Sequence, residues 1–379
     1  MRILIVSDAT GFMLGGVMAE TIQLINGLRD RGHHMALMSD FPLEGTGAIP
    51  HFPLKLPVDN SLAEHLREAI DTFKPDLVHI MLLSIRGLVQ IRPLLKKIPW
   101  TVTCHSVPPY ERKLPYLHWN ETLYYAARFL RFATNTIAWN WIFRSGSIPH
   151  AIVHSPSTAR IIERYGQPKI RIHVISLGCE VARDVSRKPR LSSQPLRLAT
   201  VAGVAHTKGH HDALLALADV RSTIPNLEYS IVGEPRDESY MQYLQRLIKK
   251  HGLENSVHFL LNASEAKKNE VLQRADIYLQ PSHEEGFCLA YIEAASIVPL
   301  LIGTDTGAIR AISAGDFGAR VVAVRQPKQI ADAIRELSTV SLPADLLPQR
   351  RTRLTNEFSW SNYLRDHERL YERIIGPTS

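Results

Sequence analysis

A chain of 379 residues with 45% apolar content has room for two ordinary domains, each able to bury its own core. Its 44 basic and 37 acidic residues leave a formal charge of +7, a mild excess that suits an anionic partner such as a phosphorylated substrate or an anionic membrane surface; it suits nucleic acid too, but the motifs below point elsewhere and no nucleic-acid partner is expected. Cys104, Cys179 and Cys288 are isolated and without Cys-x-x-Cys spacing, which argues against a disulfide framework or a cysteine zinc site; the RILIV run at residues 2–6 is too short for a signal peptide, and no apolar stretch reaches the length of a spanning helix, so a cytoplasmic protein, soluble or peripheral, is expected.

Short Val/Ile/Leu-rich runs alternate with helical patterns, the signature of parallel sheets covered on both faces. The first half predicts strands at Ile3–Val6, Met35–Met38, Leu77–Met81, Trp100–Cys104, Ala151–His154 and Ile172–Ile175. Residues 185–195 lose periodicity and gather Pro, Ser and basic residues, so the linker is placed there, between a first domain over 1–184 and a second from 196. The second half predicts strands at Leu196–Ala202, Tyr229–Val232, Val257–Leu261, Asp276–Gln280, Pro299–Ile302 and Arg320–Val324. The fold class is α/β, two doubly wound domains in tandem, with ligands expected at the strand C-termini in the cleft between them.

The loop after the first strand ends at Gly15 and Gly16, where the backbone can approach a ligand and a following helix start favours an anion. Asp40 at the end of the second strand invites a dinucleotide-binding alternative, but Gly11 and the Gly15-Gly16 pair do not make G-x-G-x-x-G. His105 follows a strand and is placed at the sheet edge, where an imidazole can donate to a substrate hydroxyl or a developing charge. Residues 108–146 mix aromatic side chains with arginines, a composition that fits either an interfacial membrane helix or a buried helical insertion.

In the second domain, Lys208-Gly209 precedes a helix expected at Asp212–Val220, which suits a phosphate cradle, although the G-x-x-x-x-G-K-[ST] pattern of a nucleoside-triphosphatase loop is lacking, since His210 follows Gly209. The doublets His33-His34 and His210-His211 are read as solvated or capping residues, because adjacent side chains diverge and spacing supplies no third ligand; no Asp-x-Asp pair offers a Mg²⁺ site. The stretch 281–307 then predicts a strand end, two acids at Glu284 and Glu285, a turn at Gly286 and a helix from about Phe287 to Ile297. Glu285 and Glu293 would stand on the order of 10 Å apart along that helix, at ~1.5 Å per residue, with its anion-attracting start between them. That spacing outlines a nucleotide sugar.

Glu285-Gly286-Phe287-Cys288-Leu289 with Glu293-Ala294-Ala295 resembles the E-G-F-G-L-x-x-x-E-A signature of the family 4 retaining glycosyltransferases, which have the GT-B fold. The likeness extends to Gly15-Gly16, Lys208-Gly209, the Val232-Gly233 strand end, and Phe358-Ser359-Trp360 with Tyr371. It implies a donor-binding domain over 196–355 and a C-terminal helix over 356–379 that returns to the first domain. It also implies transfer of a sugar from a nucleoside diphosphate donor to a glycan or lipid-linked acceptor, in cell-envelope polysaccharide synthesis, with no metal and no other cofactor. Lys208 would neutralise the diphosphate with amides at Gly16 and from Phe287 to Leu289, Glu285 would touch the sugar, Glu293 the ribose and His105 the sugar near the reacting carbon. The base would lie near Leu261 and Asn262. Gly203 stands where the family commonly carries an arginine, for which Arg236 or Arg310 can substitute, and Cys288 stands at a customary glycine. A nucleotide-sugar epimerase and a non-catalytic nucleotide-sugar-binding protein are the alternatives on the same fold.

Overall fold

The computed structural model describes residues 1–7, 16–55, 61–82, 85–105, 137, 141, 148–165, 170–182 and 194–376. The chain divides into two compact units, Met1–Leu177 with Trp360–Ser379, and Gly178–Ser359.

The first unit runs β1 (Arg2–Ser7), α1 (Gly16–Asp30), β2 (His34–Ser39), β3 (His51–Pro53), α2 (Leu62–Phe73), β4 (Leu77–Leu82), α3 (Ile85–Ile91), β5 (Trp100–Thr103), β6 (His150–Val153), α4 (Pro156–Tyr165) and β7 (Arg171–Val174). Its strands pair in parallel in the order β3-β2-β1-β4-β5-β6-β7. Ile3 to Val6 are buried along their whole length, which is why the strand reads as an unbroken apolar run rather than an alternation.

The second unit runs β8 (Leu196–Val201), a 3₁₀ turn (His206–Lys208), α5 (His210–Val220), β9 (Leu227–Val232), α6 (Glu238–His251), β10 (Val257–Leu260), α7 (Glu265–Arg274), β11 (Ile277–Gln280), α8 (Leu289–Ala295), β12 (Leu300–Thr304), α9 (Ile309–Ile312), β13 (Ala319–Val322), α10 (Pro327–Ser338) and α11 (Leu346–Glu357). Its sheet is parallel in the order β10-β9-β8-β11-β12-β13. Local sequence sets the helix ends: the Asp237 carboxylate accepts from the Tyr240 amide, the Ser264 hydroxyl oxygen from the Lys267 amide, and Gly252 stops α6 in the left-handed conformation. A buried Arg350 on α11 pairs with Asp316 and donates to the Val298 and Pro299 carbonyls at 2.8 Å, fixing the chain that leaves α8.

The last helix, α12 (Trp360–Ile375), belongs to the first unit. It seats Leu364 in a notch at Gly27 of α1, where a Cβ would stand 2.2 Å from the leucine, and Glu368 bonds Arg31 at 2.6 Å and His33 at 2.8 Å.

Each of the twelve expected strands is present, with ends shifted by at most two residues. The addition is β3, three residues ending in Pro53 at the sheet edge, too short to show a period and of a kind tolerated there. The segment at 185–195 lies outside the described residues except Gln194 and Pro195, and that at 108–146 except the exposed Ile137 and Trp141. Among the described residues, no helix is long and apolar enough to cross a membrane.

Candidate active site

In the second unit, chain order reverses between neighbouring strands β8 and β11, and open parallel sheets bind ligands beyond the strand ends at such a point. The loops leaving those two strands carry Lys208 and Glu285. Gly209 makes their approach possible: at φ 66° it is left-handed, and any Cβ there would lie 1.9 Å from the Pro281 carbonyl oxygen. The His283 amide donates to the Thr207 carbonyl at 2.8 Å, tying one loop to the other. Lys208 Nζ then reaches Glu285 Oε1 at 2.8 Å.

A relay along β11 feeds the same oxygen. Tyr278 donates to Gln280 Oε1 at 2.6 Å, Gln280 Nε2 to Ser282 Oγ at 2.8 Å, and Ser282 Oγ to Glu285 Oε1 at 2.7 Å. Burial alone would push the Lys208 ammonium down, but Glu285, Cys288 and Glu284 more than offset it and hold its pKa above the ordinary lysine value. The lysine side chain keeps 28% exposure and Glu285 9%, so the cation reaches solvent and the acid is largely enclosed.

Helix α8 begins at Leu289 rather than Phe287 and ends at Ala295. The cause is Cys288, which takes φ 85° and ψ 67° immediately before the helix, a conformation that glycine adopts freely and a side chain resists. Its thiol is buried, and burial with Glu285 nearby raises its pKa well above the usual thiol value, so it stays protonated. Gly286 and Phe287 form the turn, with Phe287 buried and edge-on to Phe358 at 5.8 Å. Glu293 is half-exposed and paired to Lys268 Nζ of α7 at 3.1 Å. Leu261 and Asn262 follow β10 at the same strand-end rim, Asn262 in the left-handed conformation at φ 54°.

The two arginines offered for the Gly203 position differ. Arg236 lies against it, with Cγ 3.2 Å from where a Cβ would be, and is anchored by its amide to the Val204 carbonyl at 3.1 Å. Arg310 is instead held bidentate on Asp305 at 2.9 and 2.8 Å.

The reading of His210 and His211 as solvated or capping is corrected: both are buried, α5 starts at His210 instead of Asp212, and no side chain caps it. His210 Nε2 lies 3.1 Å from the Gly203 carbonyl oxygen and His211 Nδ1 2.8 Å from the Tyr240 hydroxyl. Asp212 meets His283 Nε2 at 2.7 Å. Partners supplied from 29 and 71 residues away leave no local trace in sequence. His33 is likewise engaged, on Glu368, while His34 is exposed at the start of β2.

In the first unit, Gly15 lies outside the described residues, and Gly16 is the exposed first residue of α1. His105 follows β5 with both ring nitrogens facing acceptors, Nε2 2.8 Å from the Met81 carbonyl oxygen and Nδ1 3.3 Å from Glu20 Oε2, so a neutral ring gives its one proton to one of them. Glu20 was not anticipated. It is a carboxylate on the buried face of α1, also 3.2 Å from His154 Nε2 and accepting from the Tyr363 hydroxyl at 2.6 Å. Burial would raise its pKa, but His154, His105 and the Tyr363 bond win and hold it at about 2. Burial likewise opposes the His154 charge, and Glu20 overcomes it, so His154 is raised; in His105 burial wins and its pKa is lowered. Beside them His79, neutral by burial, bonds the Tyr371 hydroxyl at 2.6 Å and Thr103 at 2.7 Å. The available signal was a charged or imidazole residue at a core position of an apolar pattern: Glu20 ahead of Leu24 and Leu28, His79 within LVHIML.

Residues 182–353 match the family described as Glycosyl transferases group 1, and residues 14–183 match Glycosyltransferase Family 4. A glycogen synthase of Mycobacterium tuberculosis is 32% identical over 208 residues, covering 53% of this chain and 48% of that protein, so the chain spans about half the length of that relative. A phosphatidyl-myo-inositol mannosyltransferase of Mycolicibacterium smegmatis is 23% identical over 401 residues, 99% of this chain and 95% of that one. Among solved structures, Anabaena HepE in complex with UDP-glucose superposes with a TM-score of 0.70 at 16% identity, over 98% of this chain and 99% of that one. The chain therefore belongs to the group 1, family 4 glycosyltransferases, built as two Rossmann-like domains of the GT-B fold.

Proposed function

We propose that this glycosyltransferase moves a hexosyl group from a nucleoside diphosphate sugar to a hydroxyl of a glycan or lipid-linked acceptor, with retention at the anomeric carbon and without a metal in the transfer. The observation that carries the reading is the Lys208–Glu285 couple at the switch point of the second sheet. An ammonium that reaches solvent can exchange its carboxylate partner for a diphosphate, and the freed Glu285, still held by Ser282, can accept from sugar hydroxyls. Glu293 takes the ribose hydroxyls in place of Lys268, and Arg236 supplies the second cation from beside Gly203. Within the second unit, the amides from Phe287 to Leu289, with Gly209, are assigned to the diphosphate, and Leu261 and Asn262 to the base.

The bond from the anomeric carbon to the diphosphate oxygen breaks as the acceptor oxygen attacks from the same face, and the departing phosphate oxygen takes the acceptor proton. No protein nucleophile is required; catalysis is charge stabilisation and orientation. His105, with both nitrogens already facing acceptors, is proposed as a packing contact for the sugar rather than a donor to it. Two named likenesses support donor and acceptor: HepE is seen with UDP-glucose, and the mannosyltransferase is named for a phosphoinositide lipid. With such an acceptor, the role we propose is in cell-envelope polysaccharide synthesis, in the cytoplasm with peripheral contact at the membrane face.

The test is incubation with a panel of uridine, guanosine, adenosine and thymidine diphosphate sugars, with and without glycan and lipid-linked acceptors. Nucleoside diphosphate release, the anomeric proton coupling of the product and insensitivity to a chelator are the readouts. Release that depends on acceptor supports the reading; an isomerised donor without acceptor replaces it with the epimerase, and donor binding without turnover on any acceptor replaces it with a binding protein.

A further inference from the structure

Behind the Lys208 turn, four buried polar side chains of the second unit, His210, His211, Asp212 and His283, offer more acceptors than donors. Asp212 offers two carboxylate oxygens, of which Oδ2 accepts from His283 Nε2 at 2.7 Å and Oδ1 lies 3.7 Å from His211 Nε2. Because His283 spends its proton on Asp212, its Nδ1 holds a lone pair, and that atom is buried without a partner. His210 repeats the pattern, with Nε2 towards the Gly203 carbonyl and Nδ1 buried without a partner. Burial pushes His210 and His211 down to about 4, so neither ring brings an extra proton at neutral pH. Acceptor atoms crowded beside a buried carboxylate with few protons to share are a setting in which a cation is welcome.

We propose that His211, Asp212 and His283 bind one zinc-like divalent ion, a site distinct from the sugar-transfer residues and independent of the function proposed above. One imidazole nitrogen from each histidine and one oxygen of Asp212 all lie within 4.8 Å of one another. A tetrahedral zinc site with ligands at ~2.0–2.1 Å needs separations of ~3.3 Å; His283 Nε2 stands 2.7 Å from Asp212 Oδ2 and His211 Nε2 3.7 Å from Oδ1, so one carboxylate oxygen must turn between the two rings and His283 must give up its Nε2 proton as the ion binds. Two nitrogens and one oxygen suit zinc over magnesium or calcium, which prefer all-oxygen shells. His211 Nδ1 on the Tyr240 hydroxyl fixes that ring from behind, the outer-shell support usual for a ligating histidine. The ring of His206 stands 4.8 Å from that of His211 and 5.7 Å from that of His283, leaving the fourth position to it or to water. The positive charge of Arg325 facing His211 opposes the site, and Asp212 counters it. The ion would tie α5 to the loop that follows β11.

The full chain, stripped with a chelator, is titrated with Zn²⁺ by calorimetry, with Mg²⁺ in parallel, and with Co²⁺ for its visible absorption. The expected result is one saturable equivalent of Zn²⁺, none of Mg²⁺, a tetrahedral Co²⁺ spectrum, and Tm raised by roughly 5 °C at hundred-fold excess over Kd. His283→Gln and Asp212→Asn, which keep volume and hydrogen-bonding capacity, should each abolish the equivalent and the Tm rise while the metal-free chains still melt cooperatively. Absence of a saturable equivalent in the wild type overturns the proposal, as does an equivalent that survives both substitutions or disappears only with His154→Gln in the Glu20 cluster. If one variant fails to fold, the other decides.

Discussion

Two carboxylates, Glu20 and Glu285, lie beside bases near the strand ends of their own parallel sheets, and they are built for different purposes. Glu20 is enclosed by two imidazoles and a phenol, and its cationic partner His154 is charged only because the carboxylate is there. Glu285 is served by a chain of neutral donors along β11, and its partner Lys208 is charged regardless and reaches solvent. A charge whose partners are all internal is committed to the fold. A charge paired with a partly exposed ammonium can change partners, and a ligand can use it.

The sharpest separation of the two comes from paired substitutions. Lys208→Ala should lower kcat/KM by roughly 10²–10³-fold, the loss of a charge-stabilising group, with little change in Tm. A Tm loss as large as that of Glu20→Gln would break the distinction. Glu20→Gln should cost on the order of 3 kcal/mol, from its shift between 4.5 and about 2, and leave the donor KM unchanged. The sign follows from the depressed value: this stability is present above pH 4.5 and lost as pH falls through 2, so wild type should show an acid-unfolding arm there that Glu20→Gln lacks. His367, buried and lowered to about 4, is neutral when folded and costs stability earlier, as pH falls from 6.5 through 4, in both proteins.

Smaller effects sharpen the exchangeable side. Arg236→Ala should raise the donor KM about tenfold at near-constant kcat, and Gly203→Arg in that background should restore it, since the arginine removed is what crowds position 203. Restoration failing with the double variant folded would separate Arg236 from the diphosphate. Cys288→Gly should raise stability by about 1 kcal/mol, relieving the left-handed strain at φ 85°, and widen the range of donor sugars accepted in a competition assay. An unchanged melting curve would show that the enclosed thiol compensates for the strain.

The doubly wound architecture was readable because each strand buried on both faces leaves an apolar run, as Ile3 to Val6 and Leu300 to Ile302 do. The motif at Glu285 was readable because its residues are contiguous. What escaped depends on partners far along the chain: Glu20 needs Tyr363, 343 residues away, and His283 needs Asp212, 71 residues away. The helix start was misplaced for a different reason. Cys288 has an ordinary side chain in a conformation that composition does not reveal, so the helix is two residues shorter at that end than its apolar pattern.

The placement of α12 sets the order in which the molecule can be completed during synthesis. The second unit is one continuous stretch from Gly178 to Ser359 and emerges from the ribosome whole. The first unit emerges earlier yet must wait, because Tyr363, His367 and Tyr371 close the polar layer around Glu20 and His79, and Leu364 fills the notch at Gly27. The half made first is therefore finished last, and in the interval its Glu20, His79 and His154 stand without their covering helix. A stop codon or a bulky insertion near Trp360 would strand the first unit in that state while the second folds normally, so the N-terminal unit depends on a segment made after the whole second unit.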